Sequence, residues 1–342
     1  MDNTTVDTTT PAKGSLFDAI PADDRRELVS RREAIARGAK TSAFMHLALA
    51  AGSAPIALAA LSREVYGQAP ATQVVAVLRF ALLLENLEAE FYKTVTAGGT
   101  GYSAAANPQA AAFQPIRTAI AGLGAAAAPV LATFNLIRDH EIAHVALLRQ
   151  ALTGLGQDPG PVLNGTAFDF TGGRNPATSN GIFLPATQNL DVALAATQAF
   201  EDTGVRAYKG QARNLLRTNV LQTALQIHAM EARHASRIRR IRRSRPGASE
   251  VLRYSGTIRG GGAEAAGVAN PPAALVPAFT AIYGPGVAPA TAPSEANTTQ
   301  GGVNVVNLPG SNANAATEAF DEPLDRADVV AIVQPFVVAT IS

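Results

Sequence analysis

Between Thr72 and Ser244 the apolar residues recur every three or four positions in four long segments, 72–96, 127–154, 187–215 and 218–244. That period marks helices with one buried face. At 1.5 Å per residue each would be about 40 Å long, the scale of a helical bundle. Each stripe is broken by a carboxylate where an aliphatic residue belongs. The first runs Leu78, Leu82, Glu85, Ala89, Tyr92, Val95, and the second Leu131, Phe134, Glu141, His144, Leu148. The third runs Leu194, Glu201, Val205, Tyr208, Leu215, and the fourth Leu221, Leu225, Glu231, His234, Ile238, Ile241.

Desolvating a carboxylate costs several kcal/mol unless it is paired, so four of them on core-facing stripes need a compensating charge. Two divalent cations supply it, since their four positive charges balance the four Glu. Neutral imidazoles from His144 and His234 add nitrogen donors, which favours iron or manganese over calcium. The spacing agrees. Glu141-Ile142-Ala143-His144 and Glu231-Ala232-Arg233-His234 are both Glu-x-x-His, and residues three apart project from one face of a helix. One Glu from each of two helices, with Glu-x-x-His from each of the other two, is the inward pattern of dinuclear carboxylate bundles. The expected metal ligands are therefore Glu85, Glu141, His144, Glu201, Glu231 and His234, holding two Fe or two Mn ions per chain. A seven-residue echo, Glu85 to Tyr92-Lys93 and Glu201 to Tyr208-Lys209, places each Tyr two turns from its Glu, within reach of a ligand carboxylate.

The pieces between the helices fix the architecture as all-α. An amphipathic stretch around Phe113–Ile120 sits between the first two helices, and a Gly/Pro/Asn-rich run, 155–186, separates the second and third. That run is too long for a tight turn and suits a crossover in a bundle whose middle helices are parallel. The bundle is expected over 70–246. After Arg245-Pro246-Gly247 the composition turns to Gly, Pro, Ala, Asn and Thr. Residues 247–342 read as an extension that wraps the bundle or is partly disordered, closing on a helix within Asp325–Val338 that docks back.

Alanine is abundant among the 342 residues and Trp and Cys are absent, which suits closely packed helices. Without cysteine there is no disulfide framework, Cys-ligated zinc, iron–sulfur cluster or thiol nucleophile. A net charge of +1, from 28 Lys and Arg against 27 Asp and Glu, implies no nucleic-acid partner.

Residues 1–69 read as a polar, disordered lead-in followed by a signal segment. Ser30-Arg31-Arg32-Glu33-Ala34-Ile35 precedes a stretch of 22 residues without Asp, Glu, Lys or Arg between Lys40 and Arg63, and Gly67-Gln68-Ala69 offers a small-x-small cleavage site. This resembles a twin-arginine export signal, though Ala34 stands where a bulky residue is usual. A membrane anchor, for which Pro55, His46 and Gly52 are a poor fit, and an Ala-rich helix of the folded domain are the alternatives.

Over most of 72–338 the chain resembles the ferritin-like superfamily, and most closely the exported ferritin-like family that includes the desiccation-related proteins. Phe80–Tyr92, Asp139–His144, Glu201–Tyr208, Glu231–His234 and the terminal Ala319–Leu324 carry the resemblance. It implies a ferritin-like four-helix bundle. The complete ligand set departs from many desiccation-related members, which keep only part of it, and so implies retained metal binding.

The remaining polar residues have plainer readings beside sharper ones. Glu88 is an extra carboxylate admitting metal or a solvated edge residue, and His228 is a satisfied core histidine or an alternative ligand. His140, next to Glu141, is expected to point away from the site. Tyr92 and Tyr208 are redox-active groups, second-layer partners of the ligands or plain core. The arginine run from Arg233 to Arg245 is expected to be a solvated helix end favoured by the macrodipole, or an anion patch. The Gly-rich stretches at 259–262 and 171–173 have no phosphate-loop context.

The expected function is an exported dinuclear protein handling Fe2+ oxidation or peroxide, with metal ions and O2 or H2O2 as its partners. The absence of Cys disfavours a built-in rubredoxin-like relay. A structural or stress-protective envelope protein, with the bundle as scaffold and the extension as interaction surface, is the alternative. A homo-oligomer and an envelope partner both remain open.

Overall fold

The computed structural model describes residues 71–245, 275–284 and 294–338, all within one compact unit spanning 61–342. The lead-in and signal expected over 1–69 lie outside the described residues, as does most of 246–293. Among those described, the chain is all-α apart from one two-residue hairpin.

Four long helices form the frame: α1 (Ala71–Thr96), α3 (Ala127–Gly154), α4 (Leu190–Ala212) and α5 (Val220–Ser244), with the short α2 (Gln114–Ala121) lying between the first two. Their ends follow local chemistry. The Asn189 side chain accepts from Asp191 N–H at 2.9 Å and Val192 N–H at 3.2 Å, capping α4. Past the end of α3, Gly156 takes φ +71° while Gln157 N–H bonds Leu152 O and Gly156 N–H bonds Thr153 O. This Schellman closure needs the left-handed residue that glycine supplies.

The helices pack most closely in two pairs, α1 with α3 and α4 with α5. They are not equally enclosed. α1 and α4 are buried over most of their circumference, whereas α3 and α5 keep an outer face to solvent. On these two helices the inward row steps in threes and fours through the Glu-x-x-His pairs: Val130, Phe134, Ile137, Glu141, the partly exposed His144 and Leu148, and Ala224, Ile227, Glu231, His234, Ile238. Leu131 and Leu225, expected on the buried stripes, are instead 43% and 45% exposed. Each lies one residue, about 100° around the helix, from the small or branched residue that is buried, and Leu's greater hydrophobicity misleads the assignment.

The C-terminal segments enclose α4. Helix α6 (Leu275–Tyr283) packs on α4 and on the terminal helix, and the terminal helix itself also packs on α4. A hairpin of β1 (Thr299–Gln300) and β2 (Val303–Asn304) turns through Gly301 and Gly302, both at positive φ, and leads through α7 (Ala313–Glu318) to the terminal helix α8 (Arg326–Val333). Helix α8 is shorter than the Asp325–Val338 expected, because Pro335 enters a 3-10 turn at 334–336. Asp325 does not cap it through its side chain, which pairs with Arg213 instead.

Buried polar contacts fasten this strap. Arg206 of α4, 1% exposed, forms an ion pair with Glu295 at 2.9 Å and donates to the carbonyls of Glu322 and Ile282. Beside it the strap backbone lies against Gly210, where a Cβ would come within 1.8 Å of Leu324 O. The crossover is equally ordered. Buried Asp169 accepts from Gln109 Nε2, Thr171 N and Oγ1, Gly173 N and Asn175 N, and its own N–H bonds Phe336 O at 2.7 Å, tying the crossover to the chain's end.

The arginine run at the end of α5 is not wholly solvated, as it was expected to be. Arg242 is buried and donates to Gln198 at 2.6 Å, while Arg239 pairs with Asp202 at 3.1 Å and Arg245 with Asp191. Because α5 lies on α4, half of its circumference meets carboxylate and amide groups of that helix. Arg233, Arg237 and Arg240 do face solvent.

Candidate metal centre

The four stripes converge as their spacing requires. Glu85, Glu141, Glu201, Glu231 and His234 are at most 1% exposed, and the His144 side chain retains 13%. Their donor atoms form two groups. Glu85, Glu141, His144 and Glu231 offer one set within 4.8 Å of one another; Glu141, Glu201, Glu231 and His234 offer the other. Glu141 and Glu231, the carboxylates of the two Glu-x-x-His pairs, belong to both.

Both imidazoles present Nδ1 to the carboxylates. His144 Nδ1 lies 3.0 Å from Glu85 Oε2, 3.1 Å from Glu141 Oε2 and 3.4 Å from Glu231 Oε1. His234 Nδ1 lies 2.8 Å from Glu141 Oε1 and 3.2 Å from Glu201 Oε2, but out of line for a hydrogen bond with either. Glu141 Oε1, Glu201 Oε2, both oxygens of Glu231 and His234 Nδ1 are thus buried without a hydrogen-bond partner. These orphaned atoms all line one spot. Acceptors that face each other with no donor between them are costly in a protein interior, and a pair of cations satisfies the whole set. The residues present therefore fit a dinuclear metal group of Glu and His ligands.

The tyrosines close the arrangement crosswise. The Tyr92 hydroxyl on α1 donates to Glu201 Oε1 on α4, and the Tyr208 hydroxyl on α4 donates to Glu85 Oε1 on α1. Each Tyr serves the carboxylate of the opposite helix, so the seven-residue echo becomes a reciprocal pair. Burial, then the facing glutamates, pushes both phenols well above their ordinary range, holding them as donors.

Charge is distributed unevenly. Burial, then neighbouring carboxylates, raises Glu141 and Glu231 well above the usual carboxylate range. Burial pushes Glu85 the same way, but the hydrogen bond and charge of His144, helped by hydrogen bonds with Glu141 and Tyr208, outweigh it and hold Glu85 below its ordinary value. Glu88 is not a solvated edge residue. It is 4% exposed, and burial followed by repulsion from Glu201 and Glu85 raises it well above the usual range. It lies outside both donor groups.

Two further placements differ from expectation or were missed. His140 does not point away: its Nδ1 lies 3.0 Å from His234 Nε2, and the two rings stack with centroids 5.2 Å apart. Adjacency to Glu141 turns a side chain about 100° around α3, and at that angle it meets α5. Gly204, three residues after Glu201, is a close-approach point, where a Cβ would stand 3.1 Å from Glu231 Oε2 and 3.3 Å from Glu88 Oε1. A glycine inside an Ala-rich helix, destabilising by about 1 kcal/mol relative to Ala, was the available signal. His228, by contrast, is the satisfied histidine expected, with Nδ1 3.0 Å from Val205 O.

Fold and site together define a four-helix bundle protein with a buried cluster of Glu and His side chains at its centre. The family model of the ferritin-like domain matches residues 73–244, and the chain belongs to that family. No curated protein and no solved structure matches it.

Proposed function

We propose that this protein is an exported dinuclear metal carboxylate protein that handles Fe2+ oxidation or peroxide. The observation carrying the proposal is the convergence of orphaned donor atoms from Glu141, Glu201, Glu231 and His234 in one buried spot. Glu85 and His144 would hold one ion, Glu201 and His234 the other, and Glu141 and Glu231 would be shared. Two Fe or two Mn ions so held supply a paired reservoir of one-electron steps for O2 or H2O2.

The chain's own residues do the rest. Tyr92 and Tyr208 orient the terminal carboxylates of the opposite helices, while Glu141 Oε1 and both oxygens of Glu231 stay free of protein donors. Near-complete burial excludes bulk water, and partly exposed His144 marks where a molecule as small as O2 or peroxide would reach the centre. The neutral form favoured at Glu88 limits the negative charge beside it. The paired arginines before the 22-residue stretch support export by the twin-arginine route, which would let folding and metal loading finish before transport. A mature chain still beginning at Met1 in the soluble cytoplasm would refute that route.

Elemental analysis of protein from its native source, beside the Glu141→Ala/Glu231→Ala double variant, tests the reading. The expected result is two equivalents of Fe or Mn per chain, lost in the variant, with Fe2+-dependent O2 uptake or peroxide consumption lost alongside. A folded wild-type protein that takes up no metal would sink the proposal in favour of a structural, stress-protective scaffold.

A further inference from the structure

The two halves of the site are alike in their carboxylate, tyrosine and histidine, but not in what stands behind each histidine. His144 presents Nδ1 to Glu85 and Glu141, and no group among the described residues bonds its Nε2. His234 also presents Nδ1 inward, but its Nε2 lies 3.0 Å from His140 Nδ1. The His234 side chain is 1% exposed and that of His144 13%.

A contact between two neutral imidazoles can be made in only two ways. If His140 Nδ1–H donates to His234 Nε2, the proton of His234 sits on Nδ1, aimed at Glu141 and Glu201, and that nitrogen cannot bind a cation. If His234 Nε2–H donates to His140 Nδ1, the Nδ1 lone pair of His234 faces the carboxylates. In the second case His140 acts as the outer hydrogen-bond acceptor that fixes the tautomer and orientation of a metal-binding histidine.

Resting on the dinuclear reading above, we infer that His140 is the positioning residue of the His234 half of the site: by accepting the Nε2 proton of His234 it turns the Nδ1 lone pair inward and makes that half the tighter metal position. His144 has no such partner among the described residues, and its half fills second. His140 itself touches neither metal nor substrate.

The test uses the full chain with 15N-labelled histidine and Zn2+ as a diamagnetic probe, followed by imidazole 15N spectra and calorimetric titration. In the wild type, His234 is expected to lose its free Nδ1 signal at one equivalent while retaining a proton on Nε2, and His144 to respond only towards the second equivalent. His140→Ala, which keeps a good helix former on the partly exposed face of α3, is expected to weaken the first binding step by about 10- to 100-fold and abolish the order of filling. His140→Asn, whose side-chain carbonyl stands near the lost Nδ1, is expected to restore the order. A proton on Nδ1 of His234 in the loaded protein, or two unchanged binding steps in His140→Ala, would overturn the inference while leaving the dinuclear site standing. Wild-type protein that binds neither Zn2+ nor Mn2+ would overturn both.

Discussion

At the scale of single residues, the centre gathers buried polar atoms that cost stability in the protein alone. Glu231 has two buried oxygens with no donor, and such groups destabilise a protein unless a cation joins them. Replacing Glu231 with Met, similar in length and apolar, should therefore stabilise the metal-free protein by about 1–3 kcal/mol while abolishing the rise in melting temperature that the proposed metal binding would give. Thermal unfolding with and without Mn2+ distinguishes the two effects, and a less stable metal-free variant would contradict the account. Tyr92→Phe removes the donor that holds Glu201. It should weaken metal binding about 10-fold or more with the helices intact, measurable by metal titration beside circular dichroism.

Among the elements, α1 and α4 behave differently from α3 and α5 because the former are enclosed and the latter keep an outer face. The strap explains the enclosure of α4. Its backbone passes so near Gly210 that a Cβ would overlap Leu324 O, and backbone there cannot move aside as a side-chain end would. Gly210→Ala, despite a better helix propensity, should lower stability by about 1–3 kcal/mol or more and expose the strap to limited proteolysis. An unchanged denaturant midpoint and cleavage pattern would show that the strap is not pressed against α4.

For the whole molecule, the joint between strap and bundle carries a pH dependence. Burial raises Glu295 to about 7, against the pull of Arg206 beside it. Since this exceeds its ordinary value of 4.5, the folded chain holds a proton that the unfolded chain has released. The stability contributed is full below about pH 4.5 and is lost as pH climbs through about 7, at most about 3 kcal/mol in all. Glu295→Gln should remove this slope, so denaturation curves at pH 5 and pH 8 should differ less in the variant than in the wild type. Equal pH dependence in the two would refute the assignment.

Spacing alone determined much of this protein. Four helical stripes, the convergence of six Glu and His side chains, both tyrosines and a returning terminal helix were legible because the α-helix turns every 3.6 residues, so one face can be read from a list of positions. What lies between faces could not be read that way. The crosswise donation from Tyr92 to Glu201 and from Tyr208 to Glu85, the burial of Glu88, the exposure of Leu131 and Leu225, and the meeting of His140 with His234 depend on which helix stands opposite and at what rotation. Arg206 and Glu295, far apart in sequence, follow no local period, and their ion pair exists because the strap happens to cross α4 at that turn. Periodicity is a property of one helix; burial and partnership belong to the space that several helices enclose, and only the tertiary structure decides them.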